Sequence, residues 1–185
     1  MEIKAVFFDI DGTLVNDSRM VLKSTEKAIR ALKEQGIFVG LATGRGPFFV
    51  RPFIERYDFD FAVTYNGQYI FTKDKVLSAS PIDKKNLHDL IDYAKNHRIE
   101  IALGTEDGVE GSRIMSFGLS PISLWSARFV PKGFSKAVSQ GFNKVVSKAV
   151  PQDQKQLQQI AQGPVYQVLL LASPKDTQKV EQAFP

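Results

Sequence analysis

Short apolar bursts set the rhythm of the chain's first half. Ile3 to Phe8, Ile37 to Leu41 and Phe61 to Thr64 each have the length and density of a buried strand. Between them the period lengthens. Ser24 to Lys33 places Ala28, Ile29 and Leu32 on one helical face, with Ser24 as N-cap and Gly36 as terminator. Pro47 suits the first turn of a second helix running to about Arg56, and Pro52 inside it should bend or shorten it. Strand, helix, strand, helix, strand at these spacings predicts right-handed parallel crossovers, hence an α/β core built on a doubly wound parallel sheet. Tyr69 to Phe71 and Lys75 to Leu77 then read as a hairpin.

Beyond Ser80-Pro81 the pattern changes. Lys84 to His97 is strongly amphipathic, with Leu87, Leu90, Ile91 and Ala94 on its inner face. Strands are expected at Ile99 to Leu103, Arg113 to Phe117 and Val165 to Ala172, and helices at Asp153 to Ala161 and Pro174 to Phe184. Pro121 to Val150 reads as loop plus helix. This mixture predicts an α+β module separate from the first. The expected division is 1–80 for the core and 81–185 for the second module.

Composition narrows the class. Hydrophobic content of 43% and charged content of 24% fit a soluble globular protein. No run is long enough to span a membrane, and Met1-Glu2-Ile3-Lys4 lacks the start of a secretory signal, so a cytoplasmic protein is expected. With no Cys, disulfides and thiolate metal sites are excluded. The net charge of +4 is uneven, because Gly111 to Gln152 holds six basic residues and no acid. That stretch could attract phosphorylated small molecules, or it could be a solvated lysine face. Nucleic-acid binding is not expected, since no aromatic-basic interleaving or known module occurs.

The chemistry concentrates in Phe7-Phe8-Asp9-Ile10-Asp11-Gly12-Thr13, where two carboxylates stand where a buried strand breaks into a loop. An EF-hand loop would need Asp at position 13 and Gly at position 14, but Thr13 and Leu14 stand there. A plain turn explains Asp11-Gly12 but not an acid at position 9 on the edge of so apolar a run. Ala42-Thr43-Gly44-Arg45-Gly46 and Asn66-Gly67 fall at the ends of the next two strands. Thr43 alone could be a cap, and Asn66-Gly67 alone a hairpin turn. Open parallel sheets bind ligands at the carboxyl ends of their strands, so the joint placement points to one ligand site.

These residues resemble the haloacid dehalogenase superfamily, whose first motif is DxDGT, and Asn66-Gly67 is similar to the Cof-type subgroup. The resemblance implies a Mg²⁺-dependent phosphatase of small phosphorylated metabolites, working through an aspartyl-phosphate. It implies Asp9 as nucleophile and Asp11 as general acid and then base, with both contributing to the Mg²⁺ site. Phosphate would be held by Gly12, Thr13, Thr43, Gly44, Arg45 and Asn66. The 29 residues between Thr13 and Thr43 leave no room for a cap domain there. The α+β cap is therefore expected after the third strand, the arrangement called C2.

The sequence also departs from the family's pattern. Pro131-Lys132-Gly133-Phe134-Ser135-Lys136 resembles the family's lysine motif, yet Gln152 to Gly163, where an acid pair should follow, offers only Asp153. Lys136 is accordingly read as a decoy and the core as lacking its last motifs. That would leave the Asp9 strand as a bare apolar edge, open to self-association. The rival reading is a catalytically impaired remnant that binds phosphate or a partner.

Overall fold

The computed structural model describes residues 2–16, 20–111, 154–172 and 174–184. Strands β1 (Ala5–Phe8), β2 (Phe38–Ala42) and β3 (Phe61–Thr64) are joined by helices α1 (Lys23–Glu34) and α2 (Pro47–Tyr57). β1 pairs in parallel with β2, and β2 in parallel with β3, as the alternation of elements requires. The hairpin β4 (Tyr69–Phe71) and β5 (Val76–Ala79) continues the sheet antiparallel, giving the order β1-β2-β3-β4-β5. The result is a mixed α/β sheet with crossover helices. Ile29 of α1 and Val50 and Ile54 of α2 pack onto Val39, Leu41 and Ala62 to form its core.

A second sheet has the order β7-β6-β8, from β6 (Glu100–Gly104), β7 (Val109–Gly111) and β8 (Gln167–Leu171), all antiparallel. Helices α3 (Lys84–His97) and α4 (Gln154–Ile160) belong with it through Leu87, Ile91, Ala94 and Leu157, which share a core with Ile101 and Leu103. Asp83 caps α3 by accepting from the backbone N–H groups of Lys85 and Asn86 at 2.9 and 3.1 Å. The Lys84 ammonium donates to the backbone carbonyls of Ala161, Gln162 and Gly163, which closes the C-terminal end of α4. Helix α5 (Pro174–Ala183) follows β8.

The structure differs from the sequence-based expectations at several points. Ser24 lies inside α1, whose N-cap is Leu22 with no side-chain bond, and Ala28 is exposed while Ile29 is buried. Pro52 is accommodated within α2 without ending it. A proline at the sixth helical position removes only one bond, and its neighbours Val50 and Ile54 stay buried. The strand at Val109–Gly111 was not anticipated, because three residues containing a glutamate carry no alternating signal. The expected strand at Arg113 to Phe117, the stretch Pro121 to Val150 and Lys136 lie outside the described residues.

Candidate active site

The first strand ends at Phe8 because the chain turns there into a tight loop. Backbone N–H groups of Leu14 and Val15 donate to the carbonyls of Asp9 and Ile10 at 3.0 and 3.1 Å. Ile10 and Leu14 are buried beneath the loop and anchor it, while Asp9 and Asp11 stay at its surface. Gly12 takes a φ of +77°, which a residue with a Cβ adopts only with strain. The second strand ends in Thr43, whose N–H donates to Val63 of β3 at 3.0 Å and whose hydroxyl accepts from the Arg45 N–H at 3.2 Å. Tyr65, just after β3, donates its N–H to the Arg45 carbonyl at 3.0 Å. The ends of the second and third strands are thereby stitched together by main-chain bonds.

A cavity of about 340 Å³ opens over these ends, lined by Asp9, Asp11, Thr43, Gly44, Arg45, Gly46, Phe49, Tyr65, Val109, Gln167 and Leu169. Five of the expected site residues, Asp9, Asp11, Thr43, Gly44 and Arg45, line it. Gly12, Thr13 and Asn66 are exposed and do not line it, although the Asn66 side chain lies against Gly44. The remaining lining residues were not foreseen. Val109, Gln167 and Leu169 come from the second sheet, and only the tertiary approach of that sheet brings them here.

Arg45 is the electrostatic hinge of the site. Its side chain is 4% exposed and forks onto Asp11, with Nε to Oδ2 at 2.9 Å and Nη2 to Oδ1 at 2.5 Å. Burial pulls the guanidinium below its ordinary pKa, and the carboxylates of Asp11 and Asp9 act against that pull. Both acids therefore share one buried cation.

Tyr65 locks the second sheet onto the first. Its hydroxyl reaches the carbonyls of Thr105 and Gly108 at 2.9 and 3.1 Å, and burial raises its pKa well above the usual phenol value. Its ring stacks on Tyr166 at 6.3 Å. It fits only because Gly46 and Gly104 lack side chains, since a Cβ at Gly46 would lie 2.2 Å from the hydroxyl. Arg51 of α2 adds an ion pair to Glu106 at 2.5 Å.

The chain is similar to several known proteins. The sequence pattern of haloacid dehalogenase-like hydrolases matches residues 6–185. The putative phosphatase YkrA of Bacillus subtilis is 30% identical over 112 residues, which is 60% of this chain and 44% of that protein. A hypothetical protein from Geobacillus kaustophilus HTA426 superposes with a TM-score of 0.73 at 26% identity, covering 100% of this chain and 63% of that one. The subclass IIB sugar phosphatase BT4131 superposes with a TM-score of 0.67 at 20% identity, covering 98% of this chain and 64% of that one, which speaks to fold. The chain thus spans less than two thirds of the length of these relatives. With the motif strand, the neighbouring Thr43 turn and this match in hand, the chain belongs to the haloacid dehalogenase-like hydrolase family.

Proposed function

We propose that this chain carries the phosphoryl-transfer centre of a Mg²⁺-dependent phosphatase acting on small phosphorylated metabolites. The observation that supports it is the meeting of Asp9, Asp11, Thr43 and Arg45 in one cavity at the ends of adjacent parallel strands. In this reading a carboxylate oxygen of Asp9 attacks phosphorus and the ester P–O bond breaks. The departing oxygen keeps the electron pair and takes a proton from Asp11. Water then attacks the phosphorus of the aspartyl-phosphate while Asp11 accepts its proton, which regenerates Asp9 and releases inorganic phosphate. Thr43 and the loop N–H groups from Asp11 to Thr13 bind phosphoryl oxygens. Arg45 orients the Asp11 carboxylate through its two-pronged bond.

The donor set suits a hard cation. The Asp9 carboxylate and the Asp11 backbone carbonyl would be the oxygen ligands, while both Asp11 carboxylate oxygens accept from Arg45. Among the described residues no three acidic or histidine side chains converge on a metal position. Mg²⁺ commonly keeps several waters and uses one or two carboxylates with phosphate oxygens. Bound there, the ion would supply positive charge against the phosphoryl group. We read residues 1–80 as the catalytic core and 81–185 as the cap that roofs it, a reading supported by two apolar clusters that follow this division except for Tyr166, which packs with the first.

The test is chemical. Protein incubated with Mg²⁺ and an aryl phosphate, then quenched in acid, should carry a phosphoryl group on the peptide containing Asp9. Asp9→Asn should carry none. Phosphate release that survives Asp9→Asn would overturn the assignment.

A further inference from the structure

The roof of the cavity bears on what it can accept. Pairing across the second sheet sets Val109, Gly104 and Gln167 in one row and Gly111, Ala102 and Leu169 in the next. Side chains alternate along a strand, and here they separate cleanly. Val168 and Leu170 pack into the cap core with Leu103 and Ile101, whereas Gln167, Leu169 and Val109 line the cavity. These two rows hold no ionisable residue. Gly104, between Val109 and Gln167, leaves room for the Tyr65 ring to lie against this sheet. The aromatic rings of Phe49 and Tyr65 also line the space, and the Tyr65 hydroxyl is committed to Thr105 and Gly108. Among the described lining residues the charged ones, Asp9, Asp11 and Arg45, come from the loops of the first sheet. The described residues of the second sheet offer the cavity apolar side chains and one amide.

We propose that this site selects phosphomonoesters whose alcohol is a flat aromatic or heteroaromatic group over esters of polyhydroxylated sugars. The inference rests on the phosphatase reading above. A ring laid against the Val109–Leu169 surface buries apolar area and loses no hydrogen bonds. A hexose placed there would strip water from several hydroxyls, and Gln167 is the one polar side chain in the two rows to replace it. Gln167 would then meet a single ring heteroatom or exocyclic polar group.

Non-hydrolysable probes separate this inference from the reading beneath it. Benzylphosphonate, the phosphonate isostere of glucose 6-phosphate and inorganic phosphate would be titrated into the full chain with Mg²⁺ by calorimetry. Benzylphosphonate should bind at least about tenfold more tightly than the sugar phosphonate, a difference of about 1.4 kcal/mol. Both should be displaced by inorganic phosphate. Leu169→Asn and, on a different strand, Val109→Asn should each bring the ratio of the two affinities towards parity, with circular dichroism confirming the fold. Equal or tighter binding of the sugar phosphonate, still displaced by phosphate, would overturn the selectivity and leave the phosphatase reading standing. Binding that phosphate does not displace, or no binding of any probe, would overturn both.

Discussion

Arg45 is the residue on which the site's geometry turns. A buried guanidinium that donates to both oxygens of Asp11 cannot be replaced by a point charge without losing one bond. Arg45→Lys should therefore keep the phosphate affinity within a few-fold and lower kcat about ten- to a hundredfold, within the range of general acid–base contributions. The readout that separates positioning from simple damage is the split between KM and kcat, since Arg45→Lys should lower kcat while KM stays within a few-fold. Thr43→Ala instead removes the hydroxyl proposed to bind phosphoryl oxygens and should cost about a hundredfold in kcat. Glu110 gives a stability prediction. Burial, with Asp107 nearby, holds its carboxyl above the ordinary pKa. The folded state thus binds that proton more tightly than the unfolded state does, so its stabilising contribution is complete at low pH and is lost as pH rises through the folded pKa. Glu110→Gln should raise Tm at pH 7 and leave it nearly unchanged below about pH 4.

Among elements, the short 3₁₀ turn Tyr65–Gly67 between β3 and β4 joins the two sheets. Tyr65 and Asn66 both adopt left-handed backbone angles there, with φ of 49° and 54°. Such angles are costly for residues with a Cβ, and the packing around Tyr65 outweighs that cost. Tyr65→Phe keeps the ring and its stack on Tyr166 but removes the bond to the Thr105–Gly108 turn. A loss of about 0.5–1.5 kcal/mol is expected from chemical denaturation, with faster hydrogen exchange in that turn. Gly46→Ala should be worse. Its Cβ would collide with a Tyr65 ring that is 2% exposed and cannot yield. Overpacking of this kind typically costs about 1–3 kcal/mol. Equal stabilities for the two variants and the parent would contradict the locking role given to Tyr65.

Taken whole, the molecule leaves β1 at the end of its larger sheet, bonded among the described residues to β2 alone. Ile3, Phe7 and Phe38 are 60%, 52% and 61% exposed beside that edge. An open apolar edge of this kind invites another strand. The 185-residue chain is expected to self-associate as its concentration rises, and Phe7→Lys should shift sedimentation profiles towards monomer. Phe7 packs edge-on against Phe61 at 5.1 Å, so a modest loss of stability should accompany the change. Asp9 directly follows this edge strand. No helix among the described residues is long and apolar enough to cross a membrane.

How much of this could be read from residue order differs by feature, and the difference has a physical cause. The helix Lys84–His97 and the strand Phe61–Thr64 have the expected bounds because period and caps lie within the segment itself. The loop carrying Asp9 and Asp11 was equally legible, since an apolar burst followed by acid, glycine and turn residues is a local pattern. The fork from Arg45 to Asp11 links residues 34 apart, and the Tyr65 hydroxyl finds its partner 40 residues away. No local period encodes those meetings. The strand at Val109–Gly111 exists because β6 offers it a partner, while β8 arrives on the other side of β6 after a long excursion. Residue order therefore determined most of the strands and helices and where Asp9 and Asp11 stand. Tertiary structure alone decided that Val109, Gln167 and Leu169 roof them, because pairing between distant strands depends on packing that no single segment contains.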